Sequence, residues 1–250
     1  MSSASRTKHM KIVEKMAAKL QNNPGCEGVT IAFLGDSVTQ GCFDIYRQSD
    51  GRVETFYDQQ SSYQRGVFDL LSMLYPACPI NIINAGISGD CAPRGLARLE
   101  RDVLRHQPDL CVVCYGLNDC GTDPQSIDRY IGALRDIFAA LNCAGVEIIF
   151  MTPNMMNTAI SPHLSHPDFI AIAQSTAQKQ NDGHFDAHME AARALCRETG
   201  VALCDCYAIW KALHRSGVNT TELLANKINH PTPAMNRIFS YELVKTMLEA

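Results

Sequence analysis

Five short apolar runs punctuate this chain, and each stops at a polar turn. Val29–Leu34 ends in Gly35-Asp36-Ser37, and Ile80–Ile83 ends in Asn84-Ala85-Gly86. Leu110–Tyr115 ends in Gly116-Leu117-Asn118-Asp119, Val146–Met151 in Thr152-Pro153-Asn154, and Val201–Cys204 in Asp205. Runs this short, with few alternating polar positions, suit strands covered on both faces. The segments between them carry helical stripes. Ile12, Val13, Met16, Ala17 and Leu20 share one face, as do Leu96, Leu99, Val103 and Leu104. Asp123-Pro124 fits a helix start before Ile127, Ile131, Leu134, Phe138 and Leu141, with Gly145 as the stop. Further helices are expected from about His184 to Thr199 and from about Pro233 onward. Strands alternating with helices imply an α/β fold with a parallel sheet between two helical layers.

No linker or internal repeat divides the 250 residues, so one domain over 1–250 is expected, with 1–8 as a disordered tail. The charge balance, 22 basic against 26 acidic residues, argues against a nucleic-acid partner. The first ten residues are polar and basic, with no apolar stretch behind them, and no run of about 18 apolar residues exists. No membrane association is expected, and the expected compartment is the cytoplasm. There the 11 cysteines read mainly as small buried hydrophobes. Cys111 and Cys114 match C-x-x-C, but no second pair follows at zinc spacing, and a strand would point them to opposite faces.

Two stretches exceed ordinary loop length, 42–60 and 154–183, the second with a weak helix near 170–178. Both leave the carboxyl ends of expected strands, the edge where open α/β sheets place ligands, and both are expected to cover the site. The first three strand ends offer a serine, a backbone N–H at a glycine and an asparagine amide. Acyl transfer needs such a set: a hydroxyl nucleophile with donors aimed at the developing oxyanion. Asn229-His230-Pro231, before the last helix, supplies a base.

These residues carry a family resemblance. Gly35-Asp36-Ser37-Val38-Thr39-Gln40-Gly41, Asn84-Ala85-Gly86-Ile87-Ser88-Gly89, Gly116-Leu117-Asn118-Asp119 and His230-Pro231 resemble, in order, the four blocks of the SGNH (GDSL) hydrolases. The resemblance implies a flavodoxin-like, five-stranded parallel sheet in a three-layer sandwich. It implies Ser37 as nucleophile and His230 as base. The oxyanion hole would consist of the Ser37 and Gly86 N–H groups and the Asn118 side chain. It implies a small-molecule ester as substrate, an acyl or acetyl group on a sugar or similar metabolite, with no metal or cofactor. A thioesterase is the alternative within the class.

One position departs from the pattern. The family's last block usually reads Asp-x-x-His, and Lys227 stands where that Asp would be. An ammonium cannot accept the imidazole's proton. Asn226, Asp205 or a backbone carbonyl is the expected substitute, and a catalytically silent binding protein is the rival reading.

Other polar residues have simpler readings. Ser88 reads as a turn residue, since 86–90 lacks the final glycine of a nucleophile elbow. Asp36 and Asp119 read as loop-ordering groups, and Asp90 as a helix cap. His163 and His166 read as loop residues, and His184 and His188 as a surface helix face. Arg94, Arg98 and Arg101 read equally as an anion site or a solvated face. Met155 and Met156 fit an acyl pocket or loop packing, and Cys42 and Cys120 are the thiols nearest the blocks.

Overall fold

The computed structural model describes residues 9–250; the tail expected at 1–8 lies outside them. In chain order the elements are α1 (Lys11–Gln21), β1 (Val29–Gly35), α2 (Ser37–Gln40), β2 (Cys42–Arg47), β3 (Val53–Tyr57), α3 (Tyr63–Leu74), β4 (Ile80–Gly86) and α4 (Ala92–Asp102). They continue with β5 (Leu110–Cys114), α5 (Gln125–Cys143), β6 (Glu147–Met151), α6 (Pro167–Asn181), α7 (His184–Thr199), β7 (Ala202–Cys204), α8 (Cys206–Arg215) and α9 (Pro233–Glu249).

The five apolar runs form one parallel sheet in the order β4-β1-β5-β6-β7. Its strands are apolar on both sides because both sides are covered: Ile31, Ala32, Phe33 and Leu34 of β1 and Leu110 to Val113 of β5 have no exposed surface. Each large side chain buried this way contributes roughly 1.5–3 kcal/mol of hydrophobic free energy. Helices α1, α3 and α9 pack together as one layer, and α4, α5, α7 and α6 form a chain of contacts in the other. No described helix is long and apolar enough to cross a membrane.

Register, more than strand order, builds the site. Gly35 at the end of β1 pairs with Gly86 of β4 on one side and with Cys114 of β5 on the other. Three strand ends therefore finish side by side, and the residues just beyond them share one edge.

The long stretch 42–60 is not a loop. It is an antiparallel hairpin, β2 with β3, bulged between Cys42 and Asp44. Tyr46, Val53, Phe56 and Tyr57 are exposed, so the hairpin has no buried face to impose a clear alternation. Its root is different, with Cys42 and Phe43 buried. The other stretch, 154–183, plunges inward: Asn154, Met155, Met156 and Asn157 are each 0–1% exposed, and α6 extends beyond the expected 170–178 at both ends. The two methionines belong to the core rather than to an open acyl pocket.

Candidate active site

Ser37 opens the single turn of α2, immediately after β1. Asp36 caps that turn by accepting from the Val38 N–H at 3.0 Å, and Gly41 ends it in the left-handed region at φ 87°. The Ser37 hydroxyl lies 2.9 Å from His230 Nε2, and both residues are buried. Burial pushes the His230 imidazole down to about 4, opposed by a hydrogen bond to the Phe43 backbone. It is therefore neutral at pH 7, the state in which Nε2 can take a proton.

His230 sits on a loop fixed by amides. Asn226 Oδ1 accepts from the N–H groups of Ile228 (3.0 Å), Asn229 (2.9 Å) and His230 (2.9 Å). Ala225 donates its N–H to the His230 carbonyl at 2.7 Å. From the 154–157 segment, Asn154 Nδ2 donates to the Asn229 carbonyl and the Asn157 N–H to the Ile228 carbonyl, both at 2.8 Å. Asn226 thus holds the backbone that carries the imidazole, not the imidazole itself.

Asp205 is engaged elsewhere. Its carboxylate caps α8 through the Ala208 N–H and binds Thr152 and Arg193. Neither expected side chain meets the ring, whereas the backbone of Phe43 does. Lys227 turns aside at φ 58° to pair with Glu222 at 2.8 Å. What faces His230 Nδ1 is the Cys42 sulfur at 3.5 Å, at the root of the hairpin.

Oxyanion donors separate at the second block. The Gly86 N–H, expected as a donor, is taken by Asn84 Oδ1 at 3.0 Å. Gly86 is a glycine for a steric reason: a Cβ there would lie 2.2 Å from the Gln40 nitrogen of α2. Gly89, three residues on, is exposed and left-handed at φ 75°, in a turn closed by the Asp90 N–H on the Ile87 carbonyl. Among the described residues its N–H has no protein acceptor, and neither has that of Ser37. Asn118 Nδ2 donates to the Asp90 carbonyl at 2.8 Å, which holds that amide beside the Gly89–Asp90 turn. The second glycine was visible in Gly86-Ile87-Ser88-Gly89; which of the two had a free N–H was not.

Beneath the edge lies a group that the helical pattern misreads. Arg98, 8% exposed, is neither a solvated residue nor an open anion site. It donates to the Gly35 carbonyl (3.1 Å), the Ala85 carbonyl (2.7 Å), Asp90 (2.8 Å), Asp102 (3.0 Å) and the Tyr115 hydroxyl (2.9 Å). One guanidinium thereby ties the ends of β1, β4 and β5 together. Three carboxylates gather around this edge. Burial pushes Asp36 up to about 7, helped by repulsion from Asp119 and Asp90, and pushes Asp119 up to about 6, helped by repulsion from Asp90.

The remaining candidates fall outside the site. Ser88 gives its N–H to the Gln40 side chain. His188 is 1% exposed and packs on Tyr130, so the 184/188 face is not a surface face at both positions. Among the described residues no group of three or more His, Cys, Asp or Glu side chains is arranged to hold a metal.

A serine hydroxyl bonded to a buried imidazole is the pattern that serine hydrolases share across unrelated folds, and here it sits at the carboxyl edge of a parallel sheet. The chain belongs to the GDSL-like lipase/acylhydrolase family, whose model matches residues 33–238. It is 30% identical over 135 residues to an acetylxylan esterase of Geobacillus stearothermophilus, a match covering 50% of this chain and 60% of that protein. It is 37% identical over 73 residues to thioesterase 1/protease 1/lysophospholipase L1 of Escherichia coli K12, covering 28% and 34%. The matched part is thus less than two thirds of either relative. The crystal structure of an acetylxylan esterase from G. stearothermophilus superposes with a TM-score of 0.64 at 22% identity, covering 88% of this chain and 94% of that one, a likeness of fold.

Proposed function

We propose that this protein is a serine esterase that removes an acyl group, acetyl foremost, from a sugar or similar small metabolite. The observation that carries the reading is the 2.9 Å contact between Ser37 Oγ and His230 Nε2. The Ser37 oxygen attacks the ester carbonyl carbon while its proton passes to Nε2. The oxyanion forms against the N–H groups of Ser37 and Gly89 and the Asn118 amide, with Gly89 in the place first expected of Gly86. His230 then gives the proton to the departing alcohol, leaving an acyl group on Ser37. Water, activated by the same imidazole, releases the acid. No step calls for a metal or cofactor.

The acetyl-sugar preference is supported by the acetylxylan esterase relative, and a thioesterase reading by the second one. Eleven free cysteines suit a reducing compartment such as the cytoplasm. The convergence of all four blocks on one edge supports a single domain, and the slight acidic excess a chain without nucleic-acid partners.

A fluorophosphonate probe should label Ser37 in the folded protein. Ser37→Ala should abolish labelling and lower kcat by about 10⁴-fold or more. Turnover of p-nitrophenyl esters should fall as the acyl chain lengthens from acetyl, and acetyl esters should outrun the matching thioesters. A folded wild-type protein that neither labels nor hydrolyses any of them would establish the silent-binder reading instead.

A further inference from the structure

We infer that the Cys42 thiol is a positioning group for His230, standing at Nδ1 where an acid is usual; this rests on the esterase reading above. The two side chains that sequence nominates are spent elsewhere, Asn226 on three backbone N–H groups and Asp205 on Thr152, Arg193 and Ala208, while Lys227, in the usual acid's place, pairs with Glu222. Among side chains, Cys42 Sγ is the one that meets Nδ1, at 3.5 Å, beside a hydrogen bond between the imidazole and the Phe43 backbone.

A bland reading would make Cys42 a small space-filling hydrophobe, as most buried cysteines are. Proton counting argues for more. The same sulfur lies 3.7 Å from the Asp44 carbonyl, to which it donates. A thiol has one proton, and burial pushes Cys42 up to about 12, so it remains a thiol. With its S–H given to Asp44, its lone pairs face the imidazole, and only an Nδ1–H satisfies them. The Phe43 backbone also hydrogen-bonds the imidazole. That fixes the tautomer: Nδ1 protonated, and Nε2 bare toward the Ser37 hydroxyl. The groups facing the ring are Ser37, Cys42 and the Phe43 backbone, none of them charged. A neutral clamp orients the base without the electrostatic support a carboxylate gives to the imidazolium.

Cys42→Ala should lower kcat roughly tenfold, about what one neutral hydrogen bond is worth, with KM little changed. Cys42→Ser, which can still accept from Nδ1 and donate to Asp44, should recover most of that loss. Cys42→Asp should move the acid limb of kcat/KM upward by roughly one to three pH units, as a carboxylate beside an imidazole does. Nitrogen-15 NMR of the wild type should show His230 protonated at Nδ1 at pH 7, with that proton's resonance kept in Cys42→Ser and shifted in Cys42→Ala. Wild-type kcat in a folded Cys42→Ala with an unmoved Nδ1–H resonance would overturn the inference. So would an Nε2-protonated ring in the wild type, a measurement that needs no variant to fold. Absence of Ser37 labelling in the wild type would instead strike the esterase reading, and the Nδ1–H resonance in Cys42→Ala would still decide the role of Cys42.

Discussion

The nucleophile half and the base half of this site are built from different materials. Ser37, Gly89 and Asn118 stand on three registered strand ends, locked from below by one buried guanidinium and its carboxylates. His230 stands on a loop held by asparagine amides and backbone carbonyls, with a thiol at its far side. One half is ordered by charge and the other by neutral hydrogen bonds. The difference teaches that an imidazole can be held at a serine without a carboxylate on its ring when its loop is pinned by backbone and amide bonds. It also means that the two halves should fail differently.

Removing the charge at the centre of the nucleophile half should do most harm. Arg98→Ala leaves Asp90 buried without its closest cation and frees two strand-end carbonyls, so stability to urea should drop by about 3–5 kcal/mol and esterase activity with it. A loss under about 1 kcal/mol would break the comparison.

Asp36→Asn sharpens it through pH. The folded-state pKa of Asp36, about 7, lies above its ordinary value because of burial. Between about pH 4 and 7 the folded chain therefore holds more protons than the unfolded one, and wild-type stability falls as pH rises through that window. Asparagine can still cap α2 but has no charge to bury. The variant's advantage in unfolding free energy should grow from pH 4 to 7 and then level off, at no more than about 4 kcal/mol.

In the base half, Asn226→Ala strands three N–H groups and should cost about 1–3 kcal/mol, with kcat falling more than KM rises. Asn226→Asp, which can accept the same three bonds, should recover most of both. The smallest effect needs no mutation. With His230 at about 4, its neutral form predominates throughout pH 5–7, so kcat/KM should change less than about twofold over that range. An acid limb near 6.5 that persists in Asp36→Asn and Asp119→Asn, whose carboxyls titrate near 7 and 6, would mean that a carboxylate reaches the ring after all.

The halves also differ in how far sequence reveals them. β1, β4 and β5 are legible because strands covered on both faces must be apolar throughout, and the polar residues that end them are the site. Arg98 is not legible, because its partners are backbone carbonyls 13 and 63 residues away and a tyrosine from another strand. Gly86 and Gly89 look alike in sequence, and the structure shows that the Asn84 side chain takes the Gly86 N–H and leaves that of Gly89 without a protein acceptor among the described residues. In the base half, Asn226 carried a readable signal, since asparagine side chains commonly accept from N–H groups two to four residues on. Reading it as a ring partner put the right residue in the wrong contact. The hairpin 42–57 escaped because its solvent-facing residues do not alternate; Cys42 at its root was visible as a thiol near the blocks, but not as a neighbour of the His230 ring.

Ser37 and Cys42 are five positions apart in the chain, yet they meet the two nitrogens of the same imidazole, from 193 and 188 residues away. In terms of chain entropy these are one closure, not two. The penalty for bringing distant segments together grows only with the logarithm of their separation and is incurred once for both contacts. The receiving hexapeptide is set by local geometry, a capped turn running into a strand. When the His230 loop docks, both nitrogens are engaged together. Orientation of the base is then not a separate event in folding; it arrives with the base.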